Sequence, residues 1–292
     1  MLRGLASVVA VIAGAALAGE VPARSGPGGG ATAASAAASR PTSAPATAPA
    51  APIDPELEGI LDRLEKRGDT VSDLSCKVRQ EMKGLTVGEL ITKEGELRYL
   101  RGTEGNNPRF YIHFTKITQD DFPIKPEWYV FDGRWFIEAK ESTKNVIRRE
   151  IVRPGEKLNL FSVENSPFPL PFGQKKAEIL RNFDVKLVAP EPKDPPDSRH
   201  LMCIPRPGTP KEQEYKEIDF YIDPKLDLPV KIVAYRKTGE KVSEIHTVTF
   251  PGLDNKCINK GLPASDFEYK VPAGWSVSEE RLEAGGPAAP RP

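Results

Sequence analysis

His113, His200 and His246 are the only histidines in this chain of 292 residues, and Cys76, Cys203 and Cys257 the only cysteines. Nucleophilic, acid–base and metal chemistry are built largely from such side chains. Their spacing here builds none of it. No HExxH sets two imidazoles on one helix face, no CxxC pairs two thiols, and no G-x-S-x-G elbow or phosphate-cradling glycine loop occurs. His113 and His246 fall within strand patterns and read as hydrogen-bonded sheet residues. Cys76 lies between Leu74 and Val78 on the apolar side of a strand, which suits inert packing better than thiolate chemistry. The 41 acidic and 41 basic residues balance, so no charge excess attracts nucleic acid or an anionic membrane. We therefore expect no enzyme, no cofactor and no metal. The cysteines leave two arrangements open: one disulfide with a free thiol, or three packed thiols.

The apolar residues carry the stronger signal. Aromatics make up 8% of the chain, yet "WYVFDGRWFIEA", Trp128 to Ala139, gathers Trp128, Tyr129, Phe131, Trp135 and Phe136 around one Asp-Gly pair. Asp132-Gly133 between two apolar runs predicts a hairpin with a type I′ turn. The aromatics around it either form core or line a cavity.

The ends of the chain do not belong to that core. Residues 1–18, "MLRGLASVVAVIAGAALA", join a basic start, an apolar run and a small-x-small site, as a secretory signal peptide does. The run is too short for a comfortable bilayer span. Residues 19–52 are Ala, Pro, Gly, Ser and Thr, which cannot bury enough surface to offset their ordering entropy, and read as a disordered linker. Residues 279–292 read as a disordered tail. One domain remains, residues 53–278, long enough for a sizeable core. The expected mature protein is exported, monomeric, and without an integral membrane segment.

"DPELEGILDRLEKRG" opens the domain as a helix. Asp54 is the expected N-cap and Pro55 the first helical residue. Leu57, Ile60, Leu61 and Leu64 form one apolar stripe, and Gly68 reads as the stop. Alternating strands follow: "LSCKVRQEM", "GELITKEGELRYLR", "RFYIHFTKI", the aromatic hairpin and "NVIRREIV". "SPFPLPF" then interrupts with Phe168, Leu170 and Phe172 among prolines, and a short helix, residues 174–182, presents Ile179 and Leu180. The strands then resume, with "KTGE" as a further hairpin turn. This order predicts an α+β, mostly β fold. A sheet this long must curl or split, and an antiparallel half-barrel with helices over its concave face is the economical solution.

The same order resembles the LolA/LolB-like superfamily of periplasmic lipoprotein carriers. The matching stretches include "GELRYLR", "FDGRWFIEA", "SPFPLPF" with its helix, "IDFYIDPKLDLPVKIVAYRKTGE" and "DNKCINKGLPASDFEYKVPAGWSV". The resemblance implies an unclosed barrel whose apolar cavity accepts lipid or lipoprotein acyl chains, or in some relatives a half-barrel that also binds an envelope protein partner. It implies a cavity walled by Phe110, Ile112, Trp128, Phe131 and Trp135. Leu57, Ile60, Leu61, Leu64, Ile179 and Leu180 would cover it, and Phe168, Leu170 and Phe172 would form a lid. Arg101 falls where the family has an Arg that latches the lid.

Overall fold

The computed structural model describes residues 53–156 and 175–282. Residues 1–52, read above as signal peptide and linker, and Phe168, Leu170 and Phe172, read as a lid, lie outside the described residues, as do residues 283–292.

The first helix, α1 (Pro55–Thr70), starts as its sequence dictates. The Asp54 carboxylate accepts the Glu56 amide at 2.8 Å, Pro55 occupies the first turn, and Glu56 and Glu58 lie at the positive end of the helix dipole. Its expected end is corrected. Gly68 does not stop the helix, which continues to Thr70. Gly68 is instead a buried helical residue whose carbonyl accepts the Arg101 guanidinium.

Seven strands follow: β1 (Asp73–Gly84), β2 (Leu90–Leu100), β3 (Arg109–Gln119), β4 (Phe122–Ile124), β5 (Glu127–Phe131), β6 (Trp135–Lys140) and β7 (Asn145–Glu150). After α2 (Lys176–Asn182) come β8 (Phe183–Val188), β9 (Arg199–Pro205), α3 (Pro210–Glu214), β10 (Tyr215–Asp223), β11 (Leu228–Thr238), β12 (Lys241–Thr249) and β13 (Ser276–Glu280). The short helix α3 opens on Pro210, which suits its first position.

All thirteen strands join one sheet in the order β13-β7-β6-β5-β3-β2-β1-β12-β11-β10-β9-β8, with β4 beside β3. Its two ends do not pair, so the barrel is unclosed, as expected. Among the described residues every strand pairing is antiparallel except β13 with β7. That strand corrects the expected tail. Glu279 and Glu280 are not disordered but lie in β13, opposite Arg148 and Arg149, and each pair meets at 2.9 Å. Its residues are all exposed, so no apolar alternation marks it as a strand.

The sheet curls strongly. Phe131 on β5 and Phe136 on β6 share one buried cluster with Ile232 on β11 and Leu228 at its start, although β3, β2, β1 and β12 lie between β5 and β11 in sheet order. Side chains on the inside of the curl are therefore Leu74, Cys76, Val78, Leu97, Tyr99, Phe110, Ile112, Phe114, Tyr129, Phe131 and Phe136, alternating along each strand as the pleat requires.

Two local devices set this geometry. The β5–β6 turn is not the expected type I′, because only Gly133 has positive φ there (101°). The Asp132 carboxylate instead accepts the amides of Arg134 and Trp135 at 2.9 and 2.8 Å, mimicking a backbone turn. The second device is a bulge where Glu94 and Gly95 meet β3. It leaves Thr115 and Lys116 exposed and turns both Phe114 and Ile117 inward. A Cβ on Gly95 would collide with the His113 carbonyl. Gly95→Ala should accordingly destabilise the protein by about 1–3 kcal/mol through overpacking, read as a shifted urea midpoint. Equal midpoints for Gly95→Ala and the native protein would contradict the tight bulge.

Candidate functional site

The inner apolar face holds three clusters, the smallest being Phe183 with Cys203. At one end, Leu57, Ile60 and Leu61 of α1 are buried against Leu201 of β9 and Ile222 of β10, with Leu64, Ile179 and Leu180 packed alongside. The α1 stripe and the α2 residues thus meet each other over β8–β10, whereas the expected place for them was over Phe110, Ile112 and Phe131. Charge supports the contact: Lys176 Nζ lies 2.8 Å from both Glu58 and Asp62, and Lys175 lies 3.0 Å from Asp69. The carboxylates raise the affinity of both lysines for their protons, through hydrogen bonds first. These are surface pairs, and each contributes little to stability.

The largest cluster covers the inner face of β1, β2, β3, β5, β6, β11 and β12. Among the described residues it contains none from α1 or α2. Phe110, Ile112 and Phe131 belong to it, with Phe110 and Phe131 rings 6.0 Å apart.

Trp128 and Trp135 do not, and the expected wall is corrected there. Side chains alternate along β5 and β6, so Tyr129, Phe131 and Phe136 point inward while Trp128, Val130, Trp135 and Ile137 point outward. On that outer face Trp128 stacks on His113 at 4.6 Å and meets Tyr269 and Trp275 at 5.8 and 6.0 Å. Trp135 lies among the guanidinium groups of Arg134, Arg148 and Arg281. The hairpin aromatics therefore serve two surfaces, and the C-terminal segment covers the outer one.

The sequence reading missed a polar group on the inner face. Lys93 and Glu127 form an ion pair there, with side chains only 3% and 7% exposed. The Tyr129 hydroxyl donates to the same Glu127 oxygen at 2.8 Å. Lys93 Nζ also sits 5.5 Å from the Phe114 ring centre and 5.6 Å from that of Tyr129. Burial pulls Lys93 below the usual lysine range, opposed by the Glu127 charge. Burial first, and then Glu127, pushes the Tyr129 hydroxyl well up. The signal was parity: Lys93 shares a face with Leu97 and Tyr99, and Glu127 with Tyr129 and Phe131.

The residues capable of chemistry stay apart. His113 lies on the outer face, and burial lowers its basicity. His246 pairs with Glu244 at 2.9 Å. His200 stacks on Tyr221, with Nε2 3.1 Å from Asp219. Cys76, Cys203 and Cys257 are free thiols. Burial pushes the Cys76 thiol up to about 12, so it stays protonated. Among the described residues no three His, Cys, Asp or Glu side chains are grouped to hold a metal ion, and no helix is long and apolar enough to cross a membrane.

The Arg101 guanidinium donates to the carbonyls of Gly68 and Val71, the latter at 2.8 Å, so it fastens the C-terminal end of α1, while the lid it was expected to latch lies outside the described residues. Those carbonyls have no acceptor role within the helix, and the cation also suits the negative end of its dipole.

No family model and no curated protein matches the chain. Among solved structures it is similar to an uncharacterized conserved protein from Thermus thermophilus, at 13% identity over 77% of this chain and 99% of the other, with a TM-score of 0.44. It is also similar to the lipoprotein LppX of Mycobacterium tuberculosis, at 10% identity over 73% and 100%, with a TM-score of 0.41. The Pseudomonas aeruginosa MucA/MucB complex matches at 14% identity over 72% of this chain and 59% of the other, with a TM-score of 0.35. At these TM-scores the likeness says nothing about function.

Arg101→Met should uncap α1 and lower stability by about 2 kcal/mol, the loss of hydrogen bonds from a charged donor. Arg101→Lys should recover only part of it, because one ammonium cannot reproduce the planar fork. Urea titration reads both, and an unchanged Arg101→Met midpoint would show that the cap contributes nothing.

Proposed function

We propose that this chain is an exported, non-enzymatic binding protein whose inner apolar face takes acyl chains of lipids or lipoproteins in the cell envelope. One observation carries the reading. The largest apolar surface of the sheet, with Tyr99, Phe110, Ile112, Phe114, Phe131 and Phe136, includes no described residue of the helices that cover the β8–β10 end. A half-barrel built only for stability would be expected to spend its helices on its greatest apolar area. Burial of each methylene of an acyl chain against such a face contributes roughly 0.8 kcal/mol, so a carrier of this kind needs no catalytic group. The motifs shared with the LolA/LolB-like superfamily support the same reading.

A second reading has its own support. Leu97, Tyr99, Phe110 and Phe131 are fully buried, as they would be in a closed scaffold that binds a protein partner by its surface.

Native mass spectrometry of the purified protein separates the two. The carrier reading expects bound acyl lipid, and uptake of a fluorescent fatty-acid probe after delipidation. Matched substitutions locate the site. Ile112→Thr on the inner face should weaken probe uptake about tenfold, while Ile137→Thr on the outer face, a change of the same chemistry in a buried site, should leave it unaltered. A lipid-free protein that takes up no probe would favour the scaffold.

A further inference from the structure

The inner face holds buried polar side chains that acyl-chain burial alone does not require, among them Gln80, His246 and the Lys93–Glu127 pair, and the pair places both an ammonium and a carboxylate out of water. Taking both charges out of water is expensive, and well-packed apolar side chains in their place would often be as stable or more so. The pair has an unused capacity. Lys93 has three N–H donors, and among the described residues Glu127 is its one hydrogen-bonding partner. Its other near neighbours are the rings of Phe114 and Tyr129, and the two further charges that act on it, Lys140 and Glu138, are themselves paired at 2.9 Å and so add no net charge. On Glu127, both the ammonium and the Tyr129 hydroxyl use the same carboxylate oxygen.

The place of the pair along the strand also matters. Lys93 lies near the start of β2, close to the β1–β2 turn, with Ile91 next to it on the same face. From Lys93 the same face continues through Leu97 to Tyr99, beside Ile112 and Phe110. At about 3.4 Å per residue that strip is about 20 Å long, which suits an extended long acyl chain with its polar end at Lys93.

Charge decides what that polar end can be. Lys93 and Glu127 together are neutral. A carboxylate or phosphate beside them would leave a net negative charge buried, the costly case. A neutral acceptor takes the spare donors without unbalancing the pair. We infer that Lys93, held in place by Glu127 and Tyr129, is a specificity-determining residue that hydrogen-bonds the carbonyl of an ester- or amide-linked acyl chain. The site then selects acylated lipids over free fatty acids and over ether-linked chains. This rests on the proposed acyl-binding function and names its substrate class.

The test compares ligands of one chain length by displacement of a fluorescent probe: 1-monopalmitoylglycerol, its amide analogue N-(2,3-dihydroxypropyl)palmitamide, the ether 1-O-hexadecylglycerol, and palmitate at neutral pH. The native protein should bind the ester and the amide about tenfold more tightly than the ether, the equivalent of ~1.4 kcal/mol, with palmitate also weaker than the ester. In the paired Lys93→Met/Glu127→Gln variant, which removes both charges together, the preference for ester over ether should vanish while the ether binds as before. The infrared band of a carbon-13-labelled ester carbonyl should shift to lower frequency when bound to the native protein. The native measurements need no variant, so a variant that fails to fold leaves the test intact. Equal binding of ester and ether, or tighter binding of palmitate than ester, would overturn the carbonyl role and leave the acyl-binding face standing. No binding of any of the four would overturn both.

Discussion

Side chains alternate along a strand with a period of two, and on β5 and β6 both faces are apolar. A sheet with two apolar faces cannot leave either in water. Much of the architecture follows from this. The outer face is covered by the C-terminal segment, through Tyr269 and Trp275 and the parallel addition of β13 to β7. The inner face is covered by the curl of the sheet itself, which brings β11 and β12 residues into one cluster with β5 and β6.

The position of the helices extends that logic. Arg101 fixes the end of α1, and the lysines at the start of α2 meet its carboxylates, so the two helices stay together over β8–β10. The bulge at Gly95 turns Phe114 inward beside Lys93. The polar pair is thus embedded among aromatic rings by a backbone irregularity as well as by side-chain choice. A buried pair of this kind is held through hydrogen bonds and close ring contacts, and its neutrality constrains any ligand that joins it.

Much of this was legible in the sequence because it is local. The caps and stripe of α1 lie within sixteen consecutive residues, and strand alternation is visible strand by strand. What depends on partners far along the chain was not. Gly68 reads as a helix stop until Arg101 supplies a donor for its carbonyl. The exposed β13 reads as tail because Arg148 and Arg149 lie more than a hundred residues away. Trp128 and Trp135 read with Phe131 as one aromatic group. Their alternation could have separated them, but only the tertiary fold shows that the outer side is covered as well. By residue type alone Lys93 and Glu127 are not distinguished from the chain's other charges, although strand parity places each beside core residues.

The central claim is that the inner face, not the outer, receives the acyl chain. Anomalous diffraction from crystals grown with an acyl ester brominated along its chain tests it directly. The account predicts bromine density against Phe110, Ile112 and Phe131. Bromine beside Trp128 and Trp135 on the outer face, or no bound chain at saturating ligand, would contradict it.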